Sequence, residues 1–151
     1  MARTRYAQVG LGDRSRMFSE AVVERFSETS ELVGLCDRNE GRARLRQAWA
    51  RGRGAEAPVY LDTQFEQMVQ ETKPDVVIVT TVDATHDDYI CRAMELGCDV
   101  ITEKPMTTDE QKCQRILDTQ QRTGRSSSAM CGPTRTPAPE RRRAQGRGPP
   151  A

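Results

Sequence analysis

A chain of 151 residues is the size of one domain. Its formal net charge of +1 makes no electrostatic case for nucleic acid or a membrane surface as partner. The charge is uneven: from Ser126 onward five Arg face one Glu, a local +4, which leaves −3 for residues 1–125.

Five cysteines, at 36, 91, 98, 113 and 131, form no C-x-x-C pair. An odd count without metal-ligand spacing reads as reduced thiols and no metal site. The opening "MARTRYAQVG" lacks the apolar stretch of a signal peptide. The longest aliphatic run, Val76–Val79, is too short to span a bilayer. A cytoplasmic location is expected.

Short aliphatic runs alternate with helix-period stretches. Tyr6–Val9 reads as a strand, followed by a helix over Ser15–Phe26 with Phe18, Val22 and Phe26 on one face. Leu32–Cys36 is the second strand, and Asn39–Ala50 a helix with Leu45 and Trp49 on one side. Val59–Leu61 is a short strand. Asp62 can cap a helix presenting Phe65, Met68 and Val69. Val76–Val79 has no polar alternation, as expected of a strand covered on both faces. Thr85-x-x-Asp88 resembles a capping box opening a helix that stops at Gly97. Val100–Thr102 is the next strand. Thr108-x-x-Gln111 caps a last helix, with Ile116 and Leu117 inside and Gly124 as its stop. Strand and helix alternate in the manner of a parallel sheet with right-handed crossovers, so a doubly wound α/β fold of the Rossmann type is expected over residues 1–125.

Two stretches carry chemistry. "QVGLGDRSRMF" puts Gly10 and Gly12 in the first strand-to-helix turn, with Ser15 in the third position of G-x-G-x-x-G/A. Gly10 permits the tight turn, Gly12 leaves room for a pyrophosphate, and the helix start offers free N–H groups. Two glycines in such a turn can equally be only a turn. "LVGLCDRN" adds an acid, Asp37, 22 residues after Ser15, where a carboxylate accepts from the adenosine ribose hydroxyls. One charge pair at 4 Å is worth roughly 4 kcal/mol at an effective dielectric of 20, so Asp37 favours NAD over NADP. The adjacent Arg38 could offset that repulsion, which keeps NADP open; as a plain surface charge it would not.

The second stretch is "TTVDATHDDYICRAMELGCDVITEKPM", residues 80–106. It begins and ends at the carboxyl ends of two strands, where open parallel sheets bind ligands. Lys104, just past a strand end, can hold a substrate hydroxyl or a developing alkoxide. Glu103 and Lys104 otherwise read as a surface ion pair. His86, the sole histidine, reads by itself as a polar surface residue.

The set "VGLGDRS", "CDRN", "THDDY" and "ELGCDVITEKPM" resembles the N-terminal half of the glucose-fructose oxidoreductase / inositol dehydrogenase / rhizopine catabolism (Gfo/Idh/MocA) family, from about Tyr6 to Gly124. The resemblance implies NAD- or NADP-dependent oxidoreduction of a sugar or cyclitol alcohol. It also allows an NAD-dependent glycosidase, or a cofactor-binding sensor without turnover. It implies a dinucleotide loop of Gly10, Gly12, Arg14 and Ser15, a ribose acid at Asp37 beside Arg38, Thr81 and His86 near the nicotinamide side, and Glu103 among the cofactor-binding residues. Lys104 matches the family lysine at the reaction centre. The family usually has Pro-Asn after the first Thr of that loop, where this chain has Val82-Asp83.

The resemblance also implies a second, antiparallel domain with acid/base residues, and no counterpart of it is expected within these 151 residues. The expectation is therefore a cofactor-binding fragment unable to turn over alone and without the family's oligomer contacts. From Ser126 to Ala151 there is no Val, Ile, Leu, Phe, Tyr or Trp. Two readings fit: a disordered basic tail, or out-of-frame translation, since serine TCN codons shifted by one base become NTC codons for Phe, Leu, Ile or Val. Both imply that residues beyond 125 do not pack and that a sixth strand is missing.

Overall fold

The computed structural model describes residues 2–130. Six strands form one parallel sheet: β1 Thr4–Val9, β2 Ser30–Cys36, β3 Val59–Tyr60, β4 Val76–Val79, β5 Asp99–Glu103 and β6 Ser127–Met130. Their order is β3-β2-β1-β4-β5-β6. The order reverses between β1 and β4, the switch point at which a doubly wound sheet opens a crevice beyond its strand ends.

Helix α1, Arg16–Glu20, runs on as a π-helical turn over Ala21–Arg25. It packs with α2, Glu40–Arg51, over one face through Leu11, Phe18, Val22, Leu35 and Ile78. Helices α3 Phe65–Thr72, α4 His86–Glu95 and α5 Glu110–Thr123 cover the other face. There Phe65, Met68, Val77, Ile90, Met94, Val100 and Ile116 interlock. Helices on both faces bury both sides of β4, which is why Val76–Val79 shows no polar alternation.

Several local expectations are corrected. Phe26 lies beyond the π-turn and is 46% exposed, because the wider turn rotates it off the Phe18–Val22 face. Leu45 is 75% exposed and Leu117 is exposed, each on the solvent side of its helix. Thr85 precedes α4 but does not cap it; its Oγ1 donates to the Val82 carbonyl and lies 2.9 Å from Thr81 Oγ1. The cap of α5 is Asp109, which accepts from the Lys112 N–H at 2.8 Å, in place of Thr108. Gly124 ends α5 with φ +68, as its sequence position implies.

The largest correction is β6. Ser127–Met130 pairs in parallel with β5, in register Val100↔Ser127 through Glu103↔Met130. The Val100 N–H donates to the Ser126 carbonyl at 2.9 Å, and the Ser126 N–H donates to Asp99 Oδ1 at 3.0 Å. An edge strand needs backbone partners on one side only, and small polar side chains tolerate the solvent there. The sheet therefore has its sixth strand without a Val, Ile, Leu or aromatic residue, and the ordered fold extends past the boundary expected at 125. Residues 131–151, where the rest of the tail reading falls, lie outside the described residues.

Candidate dinucleotide-binding site

A cleft of about 430 Å³ opens at the carboxyl ends of β1, β4 and β5. Gly10, Gly12, Arg14 and Ser15 line it from the first turn. Asp37 and Arg38 line it from the end of β2, and Thr81, Glu103 and Lys104 from the ends of β4 and β5. A second groove between α4 and α5, with Glu95, Arg115 and Arg122 on its walls, holds none of these residues.

Gly10 has φ +84, and a Cβ there would lie 2.5 Å from the Thr81 nitrogen and 2.6 Å from the Thr80 carbonyl. The tight crossing of β1 and β4 admits no side chain. At Gly12 the nearest atom to such a Cβ is Arg42 Nη1 at 3.9 Å, so the backbone is open to the cleft. That open backbone, and the carboxylate described next, fit the diphosphate and ribose of a dinucleotide.

Asp37 is 4% exposed. Oδ2 accepts from the Leu11 N–H and Oδ1 from the Asn39 N–H, both at 2.7 Å. Each oxygen keeps a second lone pair for a ribose hydroxyl. Asp37 thus fastens the glycine loop to the end of β2 as well as facing the cleft. Arg42 Nη1 stands 3.8 Å from Oδ2, a partner the sequence reading missed; only its position near the start of α2 hinted at it.

Arg14 Nε pairs with Glu103 Oε1 at 3.0 Å, joining the first turn to the end of β5 across the cleft. Lys104 is exposed at the cleft wall. Ser15 is buried, its hydroxyl turned back to the Gly12 carbonyl.

His86 does not line the cleft and is not a surface residue: it is 1% exposed. Nε2 lies 2.9 Å from the Thr81 carbonyl and Nδ1 2.9 Å from the Pro105 carbonyl. The ring bridges the loop after β4 and the turn that carries Lys104. Behind it, Asp87 is buried against Lys112 Nζ at 3.4 Å and Arg115 Nη1 at 3.1 Å. Lys112 Nζ also donates to the Ala84 carbonyl at 2.7 Å, so α5 braces the same loop.

A doubly wound parallel sheet with a glycine turn, a buried acid and a lysine around its switch-point crevice defines a dinucleotide-binding domain of the Rossmann type. Residues 4–130 match an oxidoreductase family with an NAD-binding Rossmann fold, and the chain belongs to this Gfo/Idh/MocA family. It is 38% identical over 111 residues to YteT of Bacillus subtilis, covering 72% of this chain and 26% of YteT. It is 32% identical over 94 residues to the inositol 2-dehydrogenase of Klebsiella pneumoniae, covering 62% of this chain and 26% of that one. A crystal structure of the WlbA dehydrogenase from Chromobacterium violaceum, in complex with NADH and UDP-GlcNAcA, matches with a TM-score of 0.70 at 25% identity, over 86% of this chain and 35% of that one. The chain thus spans about a quarter of the length of the curated relatives it matches. Among the described residues, no helix is long and apolar enough to cross a membrane.

Proposed function

We propose that this chain binds NAD in the cleft and presents Lys104 to the oxygen of a sugar or cyclitol alcohol. The convergence of Gly10, Gly12, Asp37 and Lys104 on one crevice carries this reading. When bound, the cofactor supplies a nicotinamide C4 that exchanges hydride with the carbinol carbon. The chain's own residues do the rest. The turn at Gly12 receives the diphosphate, and Asp37 accepts the adenosine ribose hydroxyls. The His86 strap fixes the turn on which Lys104 sits. The Lys104 ammonium donates to the alcohol oxygen and stabilises the negative charge that develops there.

A second cofactor reading has its own support. Arg38 is exposed at the ribose end of the cleft, and Arg42 stands 3.8 Å from Asp37 and offsets its charge. Together they make room for the 2′-phosphate of NADP. Calorimetric titration separates the readings. NADH binding weakened by about tenfold or more in Asp37→Ala supports the ribose acid. A wild-type preference for NADPH that collapses in Arg38→Ala would transfer the role to the arginines.

The assignment of Lys104 is tested by NADH absorbance over a panel of polyols. This chain, which spans about a quarter of its relatives' length, is expected to show no turnover alone, and Lys104→Ala is expected to leave its NAD affinity within about twofold. Turnover that ignores the substitution removes Lys104 from the reaction.

A further inference from the structure

Beneath the glycine loop, reaching the cleft at Ser15 and Thr80, lies a polar network whose other members the reading above does not use. Gln8 is fully buried near the carboxyl end of β1. Its Nε2 donates to the Ser15 carbonyl at 2.9 Å and to Thr80 Oγ1 at 3.1 Å, and its Oε1 accepts from Ser19 Oγ at 2.5 Å. Arg46, on α2, closes the network: Nη1 donates to Ser19 Oγ at 2.6 Å and Nη2 to Ser15 Oγ at 3.2 Å.

The direction of every proton follows. A guanidinium only donates, so each serine hydroxyl that accepts from Arg46 must spend its own proton onward. Ser15 sends its proton to the Gly12 carbonyl. Ser19 sends its proton to Gln8, Gln8 donates to Thr80, and Thr80 Oγ1 donates to the Gly10 carbonyl at 2.5 Å. Two donor chains thus start at one guanidinium and end on the carbonyls of the two loop glycines. They engage both carbonyls and fix the loop's backbone.

Among the described residues no carboxylate lies within ion-pair distance of Arg46, and its side chain is partly buried. Burial, with Arg16 nearby, pulls its pKa below the ordinary value, although Glu20, Asp13 and Asp37 oppose the shift. A partly desolvated cation is screened less than a surface one, and here it stands behind a loop shaped for an anion.

We infer that Arg46 is a positioning residue for the diphosphate of the dinucleotide: it pins the glycine-loop carbonyls and keeps an unpaired positive charge behind them. The inference rests on the cofactor reading above and adds that the site's preference for a diphosphate over an uncharged nucleoside originates on α2. A merely structural Arg46 would affect both ligands alike.

The test titrates ADP and adenosine into the full chain by NMR chemical-shift perturbation, at low and high salt. The variants are Arg46→Met, Arg46→Lys and Ser19→Ala. Arg46→Met is expected to weaken ADP about tenfold, leave adenosine within about twofold and flatten the salt dependence of ADP binding. Ser19→Ala, which cuts one donor chain and keeps the charge, should weaken ADP by less. If Arg46→Met does not fold, Arg46→Lys decides: a selective fall in ADP affinity supports the inference. Equal losses for ADP and adenosine, or none for ADP, overturn it. A wild-type chain that binds neither ADP nor NADH would instead sink the cofactor reading and this inference with it.

Discussion

Gly10 carries the tightest steric requirement in the site. Alanine there would drive a Cβ to 2.5 Å from the Thr81 nitrogen, at a φ of +84 that L residues avoid. Both contacts are backbone, so relief requires moving β4 relative to β1. Gly10→Ala is expected to cost about 1–3 kcal/mol for the overpacking alone and to abolish NADH binding, read by thermal unfolding and titration. An unchanged midpoint would mean that the crossing is looser than described.

His86 makes a different demand. Truncation leaves the Thr81 and Pro105 carbonyls without their ring partner in a buried setting, a loss of about 1–3 kcal/mol. His86→Ala should therefore lower the unfolding midpoint and loosen the Lys104 turn, visible as faster amide exchange from Glu103 to Met106. A stability equal to wild type would remove the strap.

The thiols follow from burial. Burial, aided by Asp62 and Asp37, pushes the Cys36 thiol up to about 12, and burial, with Asp99 and Asp75, pushes Cys98 up to about 11. Burial also raises Cys91, whereas Cys113 is exposed. At pH 8 an alkylating reagent should label Cys113 among the described cysteines and spare the other three until the chain unfolds. These folded-state values lie above the ordinary 9.0 of the unfolded chain. Their stabilisation is complete below about pH 9 and falls as pH rises toward the folded values. Rapid native labelling of Cys36 would contradict its placement.

At the scale of elements, the alternation of strand and helix was legible because helices on both faces make strands continuous aliphatic runs, as in Val76–Val79. Glycines mark the turn after the first strand and the ends of helices, which made Gly10 and Gly12, and Gly97 and Gly124, readable. The π-turn at Ala21–Arg25 was not readable, because Phe18, Val22 and Phe26 fit an ordinary helix face equally well. Nor was β6. Apolar content is a proxy for burial, and an edge strand with backbone partners can dispense with it, as Ser127 and Ser128 do. The strand itself is testable. Amides in Ser127–Met130 should exchange more slowly than an unstructured chain, and truncation after Gly124 should lower the unfolding midpoint. Random-coil exchange there, with an unchanged midpoint, would restore the boundary at 125.

The site's legibility differed in kind. Gly10, Gly12, Asp37 and Lys104 could be placed from sequence because each sits at a strand end, a position that the strand pattern locates. Arg42, Arg46 and Thr80 could not, since their roles depend on how α2 and β4 lie across β1. Besides the position of Arg42, a signal was available in Gln8, a polar residue among Tyr6, Ala7 and Val9. A buried amide there implies partners, and the structure supplies them in Ser15, Ser19 and Thr80. His86 was misplaced because a first-turn helix position is usually solvated, whereas the close approach of the two loops encloses this one.

At the scale of the whole molecule, the strand order sets where the work is done. Reversal between β1 and β4 opens the crevice, and the ends of β2 and β5 add the acid and the lysine to its walls. The groove between α4 and α5 has comparable size but a surface of paired charges, such as Arg122 with Glu95 at 2.7 Å. The central claim, that the strand-end cleft is the dinucleotide site, is tested most directly by mapping NADH onto the backbone amides of the isotope-labelled chain. Saturable shifts are predicted at Gly10, Gly12, Asp37, Thr81, Glu103 and Lys104, with Glu95, Gln111 and Arg122 unmoved. Saturable shifts confined to the α4–α5 groove, or none at the strand ends with NADH in excess, would contradict the account.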